Sequence, residues 1–177
     1  MSPSRWEKIL TERDWLLADG ATGTNYFAMG LQSGDSPELW NVDHPDRVAS
    51  LHRQFVESGA DIILTNSFGG SAYRLKLHQA ESRVRELNCA AAQIARGVAD
   101  GSDRQVIVAG SIGPTDEMLE PVGTLSISDA AAAFEEQAAA LVEGGVDLIW
   151  LETMSSKEEL QAAGVGAAKA GVPIVAT

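Results

Sequence analysis

Three stretches of the chain share one shape: a helical pattern ends, a glycine follows, and an apolar run begins within three residues. They are Ser58-Gly59-Ala60-Asp61-Ile62, Gly144-Gly145-Val146-Asp147-Leu148 and Ala170-Gly171-Val172-Pro173-Ile174. Glycine here reads as the left-handed residue that closes a helix, since it has no Cβ to clash at positive φ. So short a turn delivers the chain to a strand packed beside the helix it has just left. Repeated, the unit builds a parallel sheet with right-handed βα crossovers.

The apolar runs fit that unit. Trp15-Leu16-Leu17-Ala18, Ile62-Ile63-Leu64, Val106-Ile107-Val108-Ala109 and Leu148-Ile149-Trp150-Leu151 are continuous rather than alternating, and Ile174-Val175-Ala176 begins a fifth. Such strands are covered on both faces. Helical patterns lie between them. The first opens at Asp43-His44-Pro45 and carries an apolar stripe of Val48, Leu51, Phe55 and Val56. The second runs from about Glu81 to Ala99, with Val84, Leu87, Ala91, Ile94 and Val98 inward. The third opens on the cap pair Ser128-Asp129 and buries Phe134, Ala138, Leu141 and Val142; the fourth covers 157–170. The expectation is one α/β domain over residues 1–177 with about four and a half βα units. That count suits either an open doubly wound sheet or the first part of a (β/α)₈ (TIM) barrel, whose eight units take about 250 residues.

Composition narrows the functional classes. A formal net charge of −12 opposes binding to a nucleic-acid backbone. No apolar run reaches the roughly 20 residues of a membrane span, and the first residues have no signal-peptide core, so no membrane and a cytoplasmic location are expected. The single cysteine, Cys89, rules out an internal disulfide or a multi-cysteine metal site within the chain and reads as a packed helix residue. His44, His52 and His78 read as cap, packing or surface residues.

Chemistry is expected where the strands end. Asp19-Gly20-Ala21-Thr22-Gly23-Thr24, Thr65-Asn66-Ser67-Phe68-Gly69-Gly70, Gly110-Ser111-Ile112-Gly113-Pro114-Thr115 and Glu152-Thr153-Met154 each follow an apolar run. Parallel α/β folds bring such ends to one face, where ligands bind. Any one acidic residue there is as readily a helix cap, and any one glycine a turn former. Together, two carboxylates suit an amine, while glycine N–H groups and hydroxyls suit a carboxylate, which describes an amino-acid site. No lysine of a phosphate loop follows Gly20-Ala21-Thr22-Gly23-Thr24, so nucleotide binding has no support. Asp61 and Asp147 open strands at the opposite end and read as structural.

These strand-end motifs, together with Glu38-Leu39-Trp40-Asn41, resemble the homocysteine methyltransferase family from about Trp15 onward. That family includes betaine-dependent and S-methylmethionine-dependent enzymes and the homocysteine module of cobalamin-dependent methionine synthase. The resemblance implies a (β/α)₈ barrel in which zinc holds the homocysteine thiolate while it takes a methyl group from a donor, giving methionine. By similarity Asp19 and Gly20 line the homocysteine site, Glu152 holds its amino group, and Thr65 with the Ser111-Ile112-Gly113 turn completes the wall. The family's zinc ligands are three cysteines expected beyond Thr177, and Cys89 matches none of them. The chain is therefore expected to keep the amino-acid half of the site without the metal half. As a partial barrel it is expected to need a second copy or a missing C-terminal half at its open edges. A non-catalytic amino-acid-binding or assembly module is the alternative. Gly34-Asp35-Ser36-Pro37 and Phe68-Gly69-Gly70 offer no aromatic cage for a betaine donor, and Asp116 stands where the family carries glycine.

Overall fold

A computed structural model describes residues 4–177. In chain order its helices and strands are α1 (Arg5–Glu12), α2 (Gly23–Ala28), α3 (Trp40–Asp43), α4 (Pro45–Glu57), β1 (Ile62–Leu64), α5 (Ala72–Leu75), α6 (Val84–Asp100), β2 (Ile107–Ile112), α7 (Ile127–Gly144), β3 (Leu148–Leu151), α8 (Lys157–Ala168) and β4 (Ile174–Ala176). The strands form one parallel sheet in the order β1-β2-β3-β4. Spatial order follows chain order throughout, with no reversal of the kind that defines a doubly wound sheet. The three glycine turns are as the sequence predicts, Gly59, Gly145 and Gly171 taking φ values of 106°, 101° and 74°.

The strands bury both faces, each against a different partner. Ile63, Val108 and Ile149 point outward into a core with Ala92 and Ala95 of α6, Phe134, Ala138 and Leu141 of α7, and Ala162, Ala163 and Ala167 of α8. Ile62, Ile107, Ala109 and Leu148 point inward, where Ile9 of α1 reaches them. A capping box starts α1, Ser4 Oγ accepting from the Glu7 N–H while the Glu7 carboxylate accepts from the Ser4 N–H. The inner face is less covered, with Leu16, Ala18, Leu64, Trp150 and Val175 only partly buried.

Two sequence expectations shift. The run Trp15–Ala18 is not a full strand: it joins the edge of β1 through a parallel bridge from Ala18 to Ile62, with Leu17 O accepting from Asp61 and Ile62. Its outer side has no neighbour to extend the ladder, and Trp15 is 73% exposed. The cap of α7 is Ser126, two residues before the expected pair, its Oγ accepting from the Asp129 N–H at 3.1 Å. Asp129 is the third helical residue of that cap rather than part of the cap itself.

At the N-terminal end of the sheet, Asp61 accepts from Arg13, Arg104 and the Leu17 N–H, and Asp147 accepts from Arg96 and the Val108 N–H. Both therefore fasten strand starts, as their position predicts. Among the described residues no helix is long and apolar enough to cross a membrane.

Candidate active site

The opposite end of the sheet opens into a cavity of about 370 Å³. Asp19, Gly20, Thr65, Ser111 and Glu152, the residues singled out in the sequence, all line it, together with Leu64, Phe68 and Trp150. Parallel pairing accounts for the convergence: Ile112 and Leu151 are level at the ends of β2 and β3, and Leu64 at the end of β1 is level with Ala109, two residues before Ser111.

Asp19 leaves the sheet edge with its N–H on Ile62 O, and its Oδ2 accepts from the Leu64 N–H at 2.9 Å. Burial raises its carboxyl pKa to about 7 against the opposing Leu64 hydrogen bond, and the negative charge of Glu152 adds to the rise. Glu152 follows β3, and the chain turns sharply after it through Thr153 at φ 59°. Its Oε1 accepts from the Ser111 hydroxyl at 2.6 Å. Among the described residues neither Asp19 nor Glu152 has a cationic partner. Gly20, Ala21 and Thr22 line the same cavity, and their N–H groups donate to no backbone acceptor among the described residues.

The Thr65 hydroxyl is engaged inside the protein. It contacts Ser67 Oγ at 2.6 Å and accepts from the Ser111 N–H at 3.0 Å, while Ser67 Oγ donates to Ser111 O at 2.7 Å. Thr65 is thus as much part of the frame as of the wall.

A frame of buried amides, none of them singled out in the sequence as a site residue, holds the turn after β1. Asn41 donates to Asn66 O, Gln137 to Ser67 O and Asn88 to Gly70 O, while the Gly113 N–H donates to Phe68 O. The Gly69 N–H donates to the buried Glu38 carboxylate at 2.7 Å. Gly113 is required here, because a Cβ at that position would lie 2.5 Å from the Phe68 ring. The signal for the two helical amides was positional: Asn88 and Gln137 lie on the apolar stripes of α6 and α7, where a polar residue must find a partner.

A second cavity of about 240 Å³ adjoins the first and shares Thr22, Asn66 and Phe68 with it. Rings do line it, Tyr26 and Phe68, although the 34–37 loop supplies none. Tyr26 is fully buried with no partner for its hydroxyl, and burial, with Asp19 and Glu38 nearby, pushes that group's pKa upward. Arg74 at this cavity pairs with Asp116, which sits in the left-handed region at φ 63°. That conformation accounts for a position where glycine is at home, and the ion pair gives the aspartate a partner there.

Among the described residues no group of three or more His, Cys, Asp or Glu side chains is placed to hold a metal ion. Cys89 lies on α6, its backbone packed against Gly144 at the end of α7 and outside the lining of both cavities, and burial raises its thiol pKa. These residues do not fit a zinc site. His52 is fully buried with both ring nitrogens unpartnered, and His78 is exposed.

Residues 16–177 match the homocysteine S-methyltransferase family model. The chain belongs to that family. It is 35% identical over 171 residues to a methionine synthase of Mycobacterium tuberculosis, covering 92% of this chain and 14% of that protein. A methionine synthase of Mycobacterium leprae is 31% identical over 164 residues, covering 88% and 14%. Among solved structures, the oxidised form of the Escherichia coli homocysteine methyltransferase MmuM superposes with a TM-score of 0.84 at 23% identity, over 99% of this chain and 65% of that one. The metallated form gives 0.81 at 24% identity, over 96% and 65%. At that identity the likeness speaks to fold. The homocysteine S-methyltransferase fold seen here is a partial (β/α)₈ barrel, spanning about two thirds of the MmuM chain and a small part of the methionine synthases.

Proposed function

We propose that this chain is the amino-acid-binding part of an enzyme that transfers a methyl group to the thiol of homocysteine, forming methionine. One observation carries the reading: Asp19 and Glu152, two carboxylates without a counter-ion among the described residues, line one cavity together with Gly20, Ala21 and Thr22, whose N–H groups have no backbone acceptor among those residues. The carboxylates receive the ammonium group of homocysteine, the N–H groups its carboxylate, and Thr65 and Ser111 close the wall. In the reaction a bond forms from sulfur to the methyl carbon as the methyl–donor bond breaks, the donor keeps that electron pair, and the thiol proton is released. A zinc ion on the sulfur, which the family resemblance implies for the complete enzyme, takes its ligands from residues other than these.

Calorimetric titration with L-homocysteine tests the reading. Binding by the chain that is lost in Asp19→Asn and Glu152→Gln supports it, and unchanged binding in both variants defeats it. A second reading is an amino-acid-binding or assembly module without metal. Methyl transfer by a longer form of the protein that contains stoichiometric zinc decides for the enzyme.

A further inference from the structure

The hydroxyls at the ends of β1 and β2 form a ring whose direction is fixed by valence. The Ser111 N–H gives its hydrogen to Thr65 Oγ1 at 3.0 Å. The Ser111 carbonyl only accepts, so Ser67 spends its one hydroxyl hydrogen there, at 2.7 Å. The 2.6 Å contact between Thr65 Oγ1 and Ser67 Oγ then takes the hydrogen of Thr65. Ser111 is gripped at both its N–H and its C=O, and its own hydroxyl donates to Glu152 Oε1. Thr65, Ser67 and Ser111 are 3%, 1% and 2% exposed, so water does not compete for these bonds.

The ring decides what the cavity wall offers. Thr65 has no hydrogen left to give, but its oxygen keeps a lone pair. Ser111 has spent its hydrogen on Glu152. Asp19 has used Oδ2 on the Leu64 N–H, and its Oδ1, like Glu152 Oε2, has no partner among the described residues. Asp19, Thr65 and Glu152 line one cavity, and each keeps an oxygen that can only accept from a ligand there, which suits a primary ammonium group as a donor of three hydrogens. A carboxylate at this end would find only acceptors.

We propose that Thr65 and Ser67 are specificity-determining positioning residues: their ring with the Ser111 backbone makes Thr65 an acceptor and aims Glu152, so that this end of the cavity selects a primary ammonium group. The proposal rests on the reading of the cavity as an amino-acid site. It assigns Ser67, which the sequence did not single out, and changes Thr65 from a wall residue into one that sets polarity.

The test compares L-homocysteine with its deaminated analogue, 2-hydroxy-4-sulfanylbutanoate, by calorimetry on the wild-type chain and on Thr65→Val, Thr65→Ser and Ser67→Ala. The wild type is expected to prefer the amine by at least about tenfold, as for one hydrogen bond to a charged group. Thr65→Val and Ser67→Ala should each lose about tenfold in that preference, and Thr65→Ser should keep it. If Thr65→Val does not fold, Thr65→Ser and Ser67→Ala decide between them. A parallel loss of both ligands, or an undiminished preference in Ser67→Ala, overturns the ring's role while leaving the amino-acid reading intact. A wild-type chain that binds neither ligand overturns both.

Discussion

The two ends of the sheet carry the same kind of residue in opposite circumstances. At the N-terminal end, Asp61 is 1% exposed and held by two arginines and a backbone N–H, and Asp147 is paired with Arg96. At the C-terminal end, Asp19 and Glu152 line a cavity to which the described residues contribute no Lys or Arg side chain. Charge of one sign is neutralised where it fastens strands and left open where strands end. A buried carboxylate given its partners by the fold is architecture. One left without them has its electrostatics completed by a ligand.

The comparison breaks most readily at Asp61. Asp61→Ala strands Arg13, Arg104 and the Leu17 N–H, and should cost about 3–5 kcal/mol of folding stability by urea denaturation. Asp19→Asn should cost no stability at neutral pH, since it removes a desolvated charge rather than a pair. A large loss in Asp19→Asn would erase the distinction between the two ends.

His52 is the next largest expected effect and sharpens the comparison, as a fully buried titratable group whose ring nitrogens have no partner among the described residues. Burial lowers its pKa from 6.5 to about 4. The unfolded chain therefore takes up a proton first. Stability is complete above pH 6.5 and falls as the pH drops toward 4, by roughly 3 kcal/mol, a loss that His52→Phe should remove.

Ligand affinity comes third. Asp19→Asn and Glu152→Gln should each weaken homocysteine binding by about 10- to 100-fold in calorimetry. The pH dependence of that binding is a finer probe. With the Asp19 pKa raised from 3.8 to about 7, the folded state holds a proton that the unfolded chain has released. The stability this provides is present below pH 3.8 and lost as the pH rises through 7, whereas affinity for an ammonium group should grow over the same upper range. Asp19→Asn should flatten that part of both profiles.

Much of this was legible before any coordinates, for physical reasons that differ by residue. Continuous apolar runs and glycine caps encode a parallel sheet locally, so β1 through β4 and their helices fall where expected. Strand ends are also local, and so Asp19, Thr65, Ser111 and Glu152 could be named. The Trp15–Ala18 run fell short because strand length depends on neighbours, which no window of sequence contains. Ser126 was readable, since Ser126-Ile127-Ser128-Asp129 has capping-box spacing, but Ser128 stood closer to the apolar stripe. Asn41, Asn88 and Gln137 were harder, because their partners are backbone carbonyls 25, 18 and 70 residues away. Asp116 made sense only once its left-handed backbone and Arg74 were seen.

The sequential order of the strands has a consequence for how the cavity comes into being. Each strand docks beside the one synthesised before it, so the sheet can grow from one edge without waiting for a distant partner. The carboxylates of the cavity do not share that economy. Asp19 arrives with the first segment and Glu152 only after β3. The site is therefore completed only once β3 has docked, and a ligand that bridges the two carboxylates would tie together segments far apart along the chain.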